Sequence, residues 1–314
     1  MKRLTYKALQ ETCFILLSFA CVHCIAESGV VSEGENSLTY RQNSGAEVTL
    51  PKHPKATVIC YSSLVQVWYA AGGTAVAIPS VPTRGALPEK ALKLPQLGSH
   101  NTMSLEKIMM FHPDLVLLND KLAGHRQLQR MLTALDIPAA CIDYRNYRDF
   151  NKVFQLFLQL NGMTVKNNDI TEKVDSLCKQ TQSLSAPEFA SIYIGVGLRI
   201  ETNLANTACM AAMLGGENIA PAGHTARMPL SYEYLLLRDP EVIFIVTTSD
   251  IVEANKVFHR EFAARPEWNS LRAVKNNRVH FLPPALFLYL PGSRFPEAFR
   301  YLAELLYPDK EFLE

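Results

Sequence analysis

The side chains of this chain with the widest chemical reach are tyrosines, histidines and arginines set in polar, loop-forming stretches. Phenolate and imidazole ligate iron, guanidinium pairs with carboxylates, and aromatic faces stack on flat ring systems. The candidates in the first half are Tyr61 and Ser62, His100 and Asn101, and Tyr144 and Arg145. In the second half they are Arg199, His224, Arg227, Tyr289 and Arg294. No nucleophile elbow, phosphate loop or zinc motif accompanies them. The pattern reads as groups that hold a ligand, with no catalytic residue and no catalytic cofactor assigned. Each also has a plainer role available. Tyr61 can pack at a helix start, His100 can be solvated, His224 and Arg227 can lie on the surface, and Tyr289 can fill the core beneath the last helix. Arg294, just after Pro291-Gly292, is the arginine whose loop is best placed to aim it at a cleft.

The elements that must position these residues are announced by a segment that occurs twice. Ser104-Leu105-Glu106-Lys107-Ile108 leads to His112-Pro113-Asp114 and the apolar run Leu115-Val116-Leu117-Leu118. Ser231-Tyr232-Glu233-Tyr234-Leu235 leads to Asp239-Pro240-Glu241 and Val242-Ile243-Phe244-Ile245-Val246. Ser, Glu and Pro keep the same offsets. Each copy predicts a short helix capped by Ser, an acid in the first turn where the dipole favours it, a proline break and a strand covered on both faces. Two copies imply two similar α/β lobes. In open α/β sheets a ligand lies beyond the carboxyl ends of the strands, which is how the loops above, together with Asn119-Asp120, are nominated.

The 314 residues carry a net charge of +1, with 48% hydrophobic and 19% charged residues. The length suits two domains, and the near-neutral charge gives a nucleic-acid partner no electrostatic support. Cys60, Cys141, Cys178 and Cys209 lack metal-ligand spacing, and Cys60 and Cys141, at the ends of apolar strand-like runs, read as buried thiols. Residues 1–26 have the basic start, short apolar stretch and small residues of a secretory signal peptide cut after Ala26. A lipoprotein cut before Cys21 is the alternative. The mature chain is thus expected outside the cytoplasm, periplasmic or lipid-anchored. Residues 27–37 are expected to be loose. A hairpin follows, with strands at Leu38 to Arg41 and Ala46 to Leu50. Strands are expected at Ala56 to Cys60, Ala75 to Ile78, Ala139 to Ile142, Ser191 to Val196 and Arg278 to Leu282. A surface loop is expected from Ser80 to Leu97 and a turn from Arg199 to Asn203. The expected domain plan is an N-terminal lobe at 27–148, a helical connector at 149–184 and a C-terminal lobe at 185–314.

The ordered series of motifs resembles the class III periplasmic substrate-binding proteins of ABC importers, over about Leu38 to Pro308. It is carried by Gly45-Ala46-Glu47-Val48-Thr49-Leu50-Pro51, by Trp68-Tyr69-Ala70-Ala71-Gly72, and by Leu97-Gly98-Ser99 leading to Leu105-Glu106-Lys107-Ile108 and Pro113-Asp114-Leu115-Val116. Met213-Leu214-Gly215-Gly216-Glu217-Asn218-Ile219-Ala220, the stretch from Trp268 to Val279, and Pro291-Gly292-Ser293-Arg294 continue it. The chain departs from the family's pattern after its first strand, where Ser62 and Gln66 stand in place of Pro and Glu.

The resemblance implies two Rossmann-like lobes joined by a long helix, with little hinge motion and a ligand cleft between them. It implies a monomer that carries a metal chelate (ferric siderophore, haem or cobalamin) and whose Glu106 and Glu233 meet arginines of a membrane permease. Two readings from other classes stay open: a binder of a bare metal ion or oxyanion, and an exported enzyme on a chelatase-like fold.

Overall fold

The computed structural model describes residues 29–80, 87–163, 169–195, 197–247, 251–288 and 290–313. The expected signal peptide, Tyr289 and part of the expected Ser80 to Leu97 loop lie outside them. The described chain opens with an antiparallel sheet of β1 (Gly29–Glu33), β2 (Ser37–Arg41) and β3 (Glu47–Pro51). The hairpin of β2 and β3 closes as expected, with Gly45 at φ 84° in its turn. The strand β1 corrects the expectation of a loose 27–37. It is an edge strand whose side chains are mostly exposed, so main-chain pairing to β2 makes it and no hydropathy pattern announces it.

In the first lobe, β4 (Thr57–Ile59) leads to α1 (Ser62–Ala70), α2 (Glu89–Leu92) and α3 (Leu105–Met109). The lobe continues through β5 (Leu115–Asn119), α4 (Ala123–Thr133) and β6 (Ala139–Ile142). Its sheet is parallel with order β4-β5-β6. The expected strand at Ala75 to Ile78 is reduced to isolated bridges, Val58 to Ala77 and Ile78 to Gln96. The expected Ser80 to Leu97 surface loop instead carries α2 and buries Leu87, Ala91 and Leu97. Two helices follow, α5 (Tyr147–Leu160) and α6 (Asp169–Thr181).

The second lobe repeats the plan with β7 (Glu188–Gly195), β8 (Gly197–Glu201), α7 (Asn206–Met213), β9 (Glu217–Asn218), β10 (Arg227–Pro229), α8 (Tyr232–Arg238) and β11 (Val242–Thr247). It ends in α9 (Ile251–Phe258), α10 (Arg272–Lys275), β12 (Val279–Phe281), α11 (Pro284–Phe287) and α12 (Phe295–Leu306). The strands β9, β7, β11 and β12 run parallel; β8 is added antiparallel on β7, and β10 antiparallel on β8 at the edge. The expected turn at Arg199 to Asn203 is thus corrected. Arg199 lies within β8 opposite Tyr193, and the chain reverses before Gly197, whose φ is 89°.

The duplicated segment keeps its geometry as well as its sequence. Ser104 and Ser231 cap their helices by accepting from Lys107 N–H at 3.3 Å and Tyr234 N–H at 3.2 Å. His112 and Asp239, directly before the prolines, take positive φ of 44° and 42°. After each proline an acid ties the strand to its neighbour. Asp114 accepts from Ala56 N–H at 2.9 Å, and Glu241 from Glu188 N–H at 3.3 Å.

Successive strand side chains point to opposite faces, and here that alternation divides the core into three. Ile59, Leu115, Leu117, Ala140 and Ile142 of the first sheet face a central core, and so do Phe189, Val242, Phe244 and Val246 of the second. Val58, Cys60, Val116 and Leu118 face a separate outer core of the first lobe. Ala190, Ile192, Ile243 and Ile245 face the outer core of the second. The central core is filled by α5, which buries a wide apolar face and leaves Arg148 and Lys152 exposed on the other side. Its rings bridge the lobes. Phe157 meets Trp68 of α1 at 5.0 Å, Phe150 meets Phe295 of α12 at 4.6 Å, and Tyr147 meets Phe299 at 4.9 Å. The turn before α12 also returns to the first lobe. Its Gly292 takes a φ of 59°, which favours glycine, and a Cβ there would displace only the end of the Gln66 side chain of α1, 2.7 Å away.

One shared core predicts one cooperative unfolding transition. In urea followed by both fluorescence and circular dichroism, Phe150→Ala is expected to lower stability by about 3–5 kcal/mol while the two signals still move together.

Candidate ligand-binding cleft

A cleft of about 280 Å³ lies between the lobes, beyond the carboxyl ends of β5, β6 and β12. The first lobe contributes Lys121, just after β5, and Arg145, just after β6. The second contributes Glu201 at the end of β8, the stretch from Leu204 to Thr207 that starts α7, Ala226 and Arg227, and Phe287, Leu288 and Leu290 beyond β12. Both walls carry charge, and the apolar lining comes from the second lobe.

Those charges are largely matched in place. Lys121 Nζ lies 3.0 Å from Asp143 Oδ1. Burial pushes the Asp143 carboxyl upward, and the Lys121 ammonium pulls it back. Arg145 Nε donates to Asp149 Oδ2 at 3.1 Å. Glu201, only 1% exposed, accepts from Arg227 Nε at 2.9 Å and from Ser191 Oγ at 2.8 Å. The Arg227 guanidinium lies 3.7 Å over the Tyr193 ring. Each of these carboxylates is paired within the protein.

Beside this cleft, the ends of β4 and β6 carry a second group. The Tyr61 and His100 rings meet edge to face at 5.5 Å, and burial, with Asp143 nearby, raises the Tyr61 phenol. Tyr144 is buried and donates to Ser63 C=O at 3.3 Å, so it acts as a strut. His125 holds the loop of His100 in place. Asn119 N–H donates to its Nδ1 at 3.0 Å, which leaves the proton on Nε2, and Nε2–H donates to His100 C=O at 2.7 Å. Burial lowers the His125 pKa, against the pull of that carbonyl.

The remaining candidates are placed as follows. Ser62 is the first residue of α1, and Asn101 is exposed in a 3-10 turn whose Ser99 cap accepts its N–H. Arg199 and His224 are exposed and do not line the cleft. Arg294 does not aim inward. It forms a bidentate pair with Glu297, both bonds 2.7 Å. Of the residues the sequence nominates, the cleft brings together Arg145 and Arg227, with Tyr61 and His100 paired beside it. Lys121, Glu201 and Thr207 were missed by motif reasoning. Among the described residues, no group of three or more His, Cys, Asp or Glu side chains is arranged to hold a metal ion.

Glu106 and Glu233 are exposed at the starts of α3 and α8. Each receives a hydrogen bond from its own helix cap, Ser104 Oγ at 2.5 Å and Ser231 Oγ at 2.8 Å. The Ser104 hydroxyl holds the Glu106 carboxyl below the usual range, and the local backbone N–H and Ser231 do the same for Glu233. Both are therefore ionised at neutral pH. One turn further along each helix, at matched offsets, stand Met110 and Leu237, 75% and 81% exposed.

Comparison with known proteins agrees with this architecture. The periplasmic binding protein family model matches residues 58–286. The chain belongs to this family. An uncharacterised ABC-transporter substrate-binding lipoprotein of Bacillus subtilis strain 168 is 26% identical over 87% of this chain and 86% of its own length. The Fe(3+)-citrate-binding protein YfmC of the same organism is 22% identical over 79% of each chain. The crystal structure of an ABC transporter substrate-binding protein from Listeria monocytogenes superposes with a TM-score of 0.66 at 24% identity, covering 82% of this chain and all of that one. It supports the two-lobed fold.

Because His125 is held neutral, its contribution to stability is full above pH about 6.5, the ordinary imidazole value, and is lost as pH falls from there through its lowered folded pKa. Thermal unfolding between pH 7 and pH 5 is expected to show a steeper fall in Tm for the wild type than for His125→Gln. Equal slopes would contradict this role.

Proposed function

We propose that this chain is the extracytoplasmic capture protein of an ABC importer, binding a metal chelate between its lobes and delivering it to a membrane permease. The observation that carries the reading is the pairing of one inter-lobe cleft at the strand carboxyl ends with two equivalent acidic knobs, Glu106 and Glu233, on the duplicated helices. Two matched knobs suit a partner that presents two matched sockets. The exposed Met110 and Leu237 would add apolar contact beside each acid. Arginines on the permease would pair with the carboxylates. The family, and a relative that carries ferric citrate, support a chelated metal as cargo. The chelate is a ferric siderophore, ferric citrate, haem or cobalamin. Tyr61, His100, Tyr144, Arg145 and Arg227 belong to the binding region in this reading.

The proposal includes the lobe plan of 27–148 and 185–314 with a connector at 149–184, a monomeric state, and binding without turnover. It also includes export, by a signal peptide cut after Ala26 or by lipid attachment at Cys21. A lipoprotein relative supports an extracytoplasmic home under either route.

Equilibrium dialysis of the purified chain against haem, cobalamin, ferric citrate and a ferric trihydroxamate is expected to show one ligand bound at one equivalent. Glu106→Ala combined with Glu233→Ala is expected to keep that affinity within about twofold and to reduce uptake by cells at least tenfold, since charge-assisted contacts of this kind contribute about 1.5–3 kcal/mol each. Normal uptake by the double variant would remove the knobs from the proposal. Absence of any binding would remove the chelate.

A further inference from the structure

The amino end of α7 reaches the cleft without a cap. Its N-cap residue, Ala205, has no side-chain acceptor, and the first bond into the helix is Cys209 N–H to Ala205 C=O at 2.9 Å. The N–H groups of Asn206, Thr207 and Ala208 consequently have no acceptor among the described residues. The approach to the helix is firmly held. Thr202 Oγ1 donates to Thr225 C=O at 2.7 Å and accepts from Leu204 N–H at 3.3 Å, while Asn146 Nδ2, from the cap of α5, donates to Leu204 C=O at 3.4 Å.

A second observation falls at the same place. Thr207 lines the cleft and is 1% exposed, and its Oγ1 has no hydrogen-bond partner among the described residues. The amide atoms of Asn206, which also lines the cleft, have none either. Buried polar atoms are nearly always paired, and these three belong to residues that line the cleft, which makes a bound ligand a candidate partner for them. The side-chain cations of this cleft, Lys121, Arg145 and Arg227, each already face an acid within 3.1 Å. The uncompensated positive potential is therefore that of the bare helix end, which favours an anion. Among the groups that a metal chelate displays at its edge, a free carboxylate combines full negative charge with two acceptor oxygens.

We propose that the start of α7, with Thr207 Oγ1 and the Asn206 amide, is a carboxylate subsite, and that the chelate carried by this protein bears a carboxylate arm seated there. One oxygen accepts from the exposed backbone N–H groups and the other from the two side chains. This rests on reading the cleft as the ligand site, and the test separates the two.

Dissociation constants would be measured for the full chain against ferric citrate and haem, which carry carboxylates, and against cobalamin and a ferric trihydroxamate, which do not. A carboxylate-bearing chelate is expected to bind the wild type. The isosteric Thr207→Val is expected to weaken it about tenfold, with Thr207→Ser restoring it. Ala205 is only 5% exposed, so its two capping variants are compared with each other: Ala205→Asp, which adds a cap and a negative charge, is expected to weaken the same chelate more than Ala205→Asn, which adds the cap alone. A merely structural role for this turn would weaken binding equally in the two variants. Unchanged affinity in Thr207→Val overturns the subsite, and so does binding confined to cobalamin or the trihydroxamate, although the importer reading then stands. Binding of none of the four overturns that reading and the subsite with it.

Discussion

The packing of the connecting helix between the two sheets is the constraint on which the rest of this molecule depends. Phe150, Phe154 and Phe157 of α5 are enclosed on one side by Trp68 of the first lobe and on another by Phe295 and Phe299 of the last helix. Rings of this size bury large apolar areas and prefer offset or edge contacts. Such a jigsaw tolerates few alternative arrangements. A hinge needs a region where packing can be broken cheaply, and the boundary between these lobes is instead the middle of the largest core. The cleft is therefore set at folding. Its width follows from where α5 holds the strand ends, and the loops at those ends need only short local ties, such as His125 to His100 and Asn146 to Leu204, to be positioned.

The same rigidity bears on delivery. The two capped acids stand on helices built from one duplicated segment, each followed by a buried strand that feeds the central core. Their separation is fixed by the fold and does not depend on closure around the cargo. Under the proposed function the permease would read a constant pair of knobs, and discrimination among cargoes would rest with the cleft. There the charged side chains are paired within the protein, so the unspent polar capacity lies in the turn that begins α7.

Much of this was legible in the sequence where local rules act alone. The doubled Ser-x-Glu spacing and its prolines foretold α3, β5, α8 and β11, and the alternating run from Leu38 to Leu50 foretold the hairpin. What was not legible arises from contacts distant along the chain. The strand β1 has few apolar residues and exists through pairing with β2. Arg199 looked like a turn residue because nothing local shows that β8 folds back on β7. Glu201 and Arg227 are 26 residues apart, and no motif unites them. Thr207 carries no signal beyond a small polar residue at a helix start. Arg294 is different. Its partner Glu297 stands three places on, a spacing that favours contact on a helix, so its diversion from the cleft was readable from the sequence.

Rigidity between the lobes is tested most directly by spin labels at Met110→Cys and Leu237→Cys, both exposed and matched in the duplication, in the protein without ligand. Double electron–electron resonance is predicted to give one narrow distance distribution, with no second population displaced by more than about 2 Å, below the scale of loop and hinge rearrangements. Two resolved distances, or one broad distribution, would contradict a core that fixes the lobes and with it the cleft.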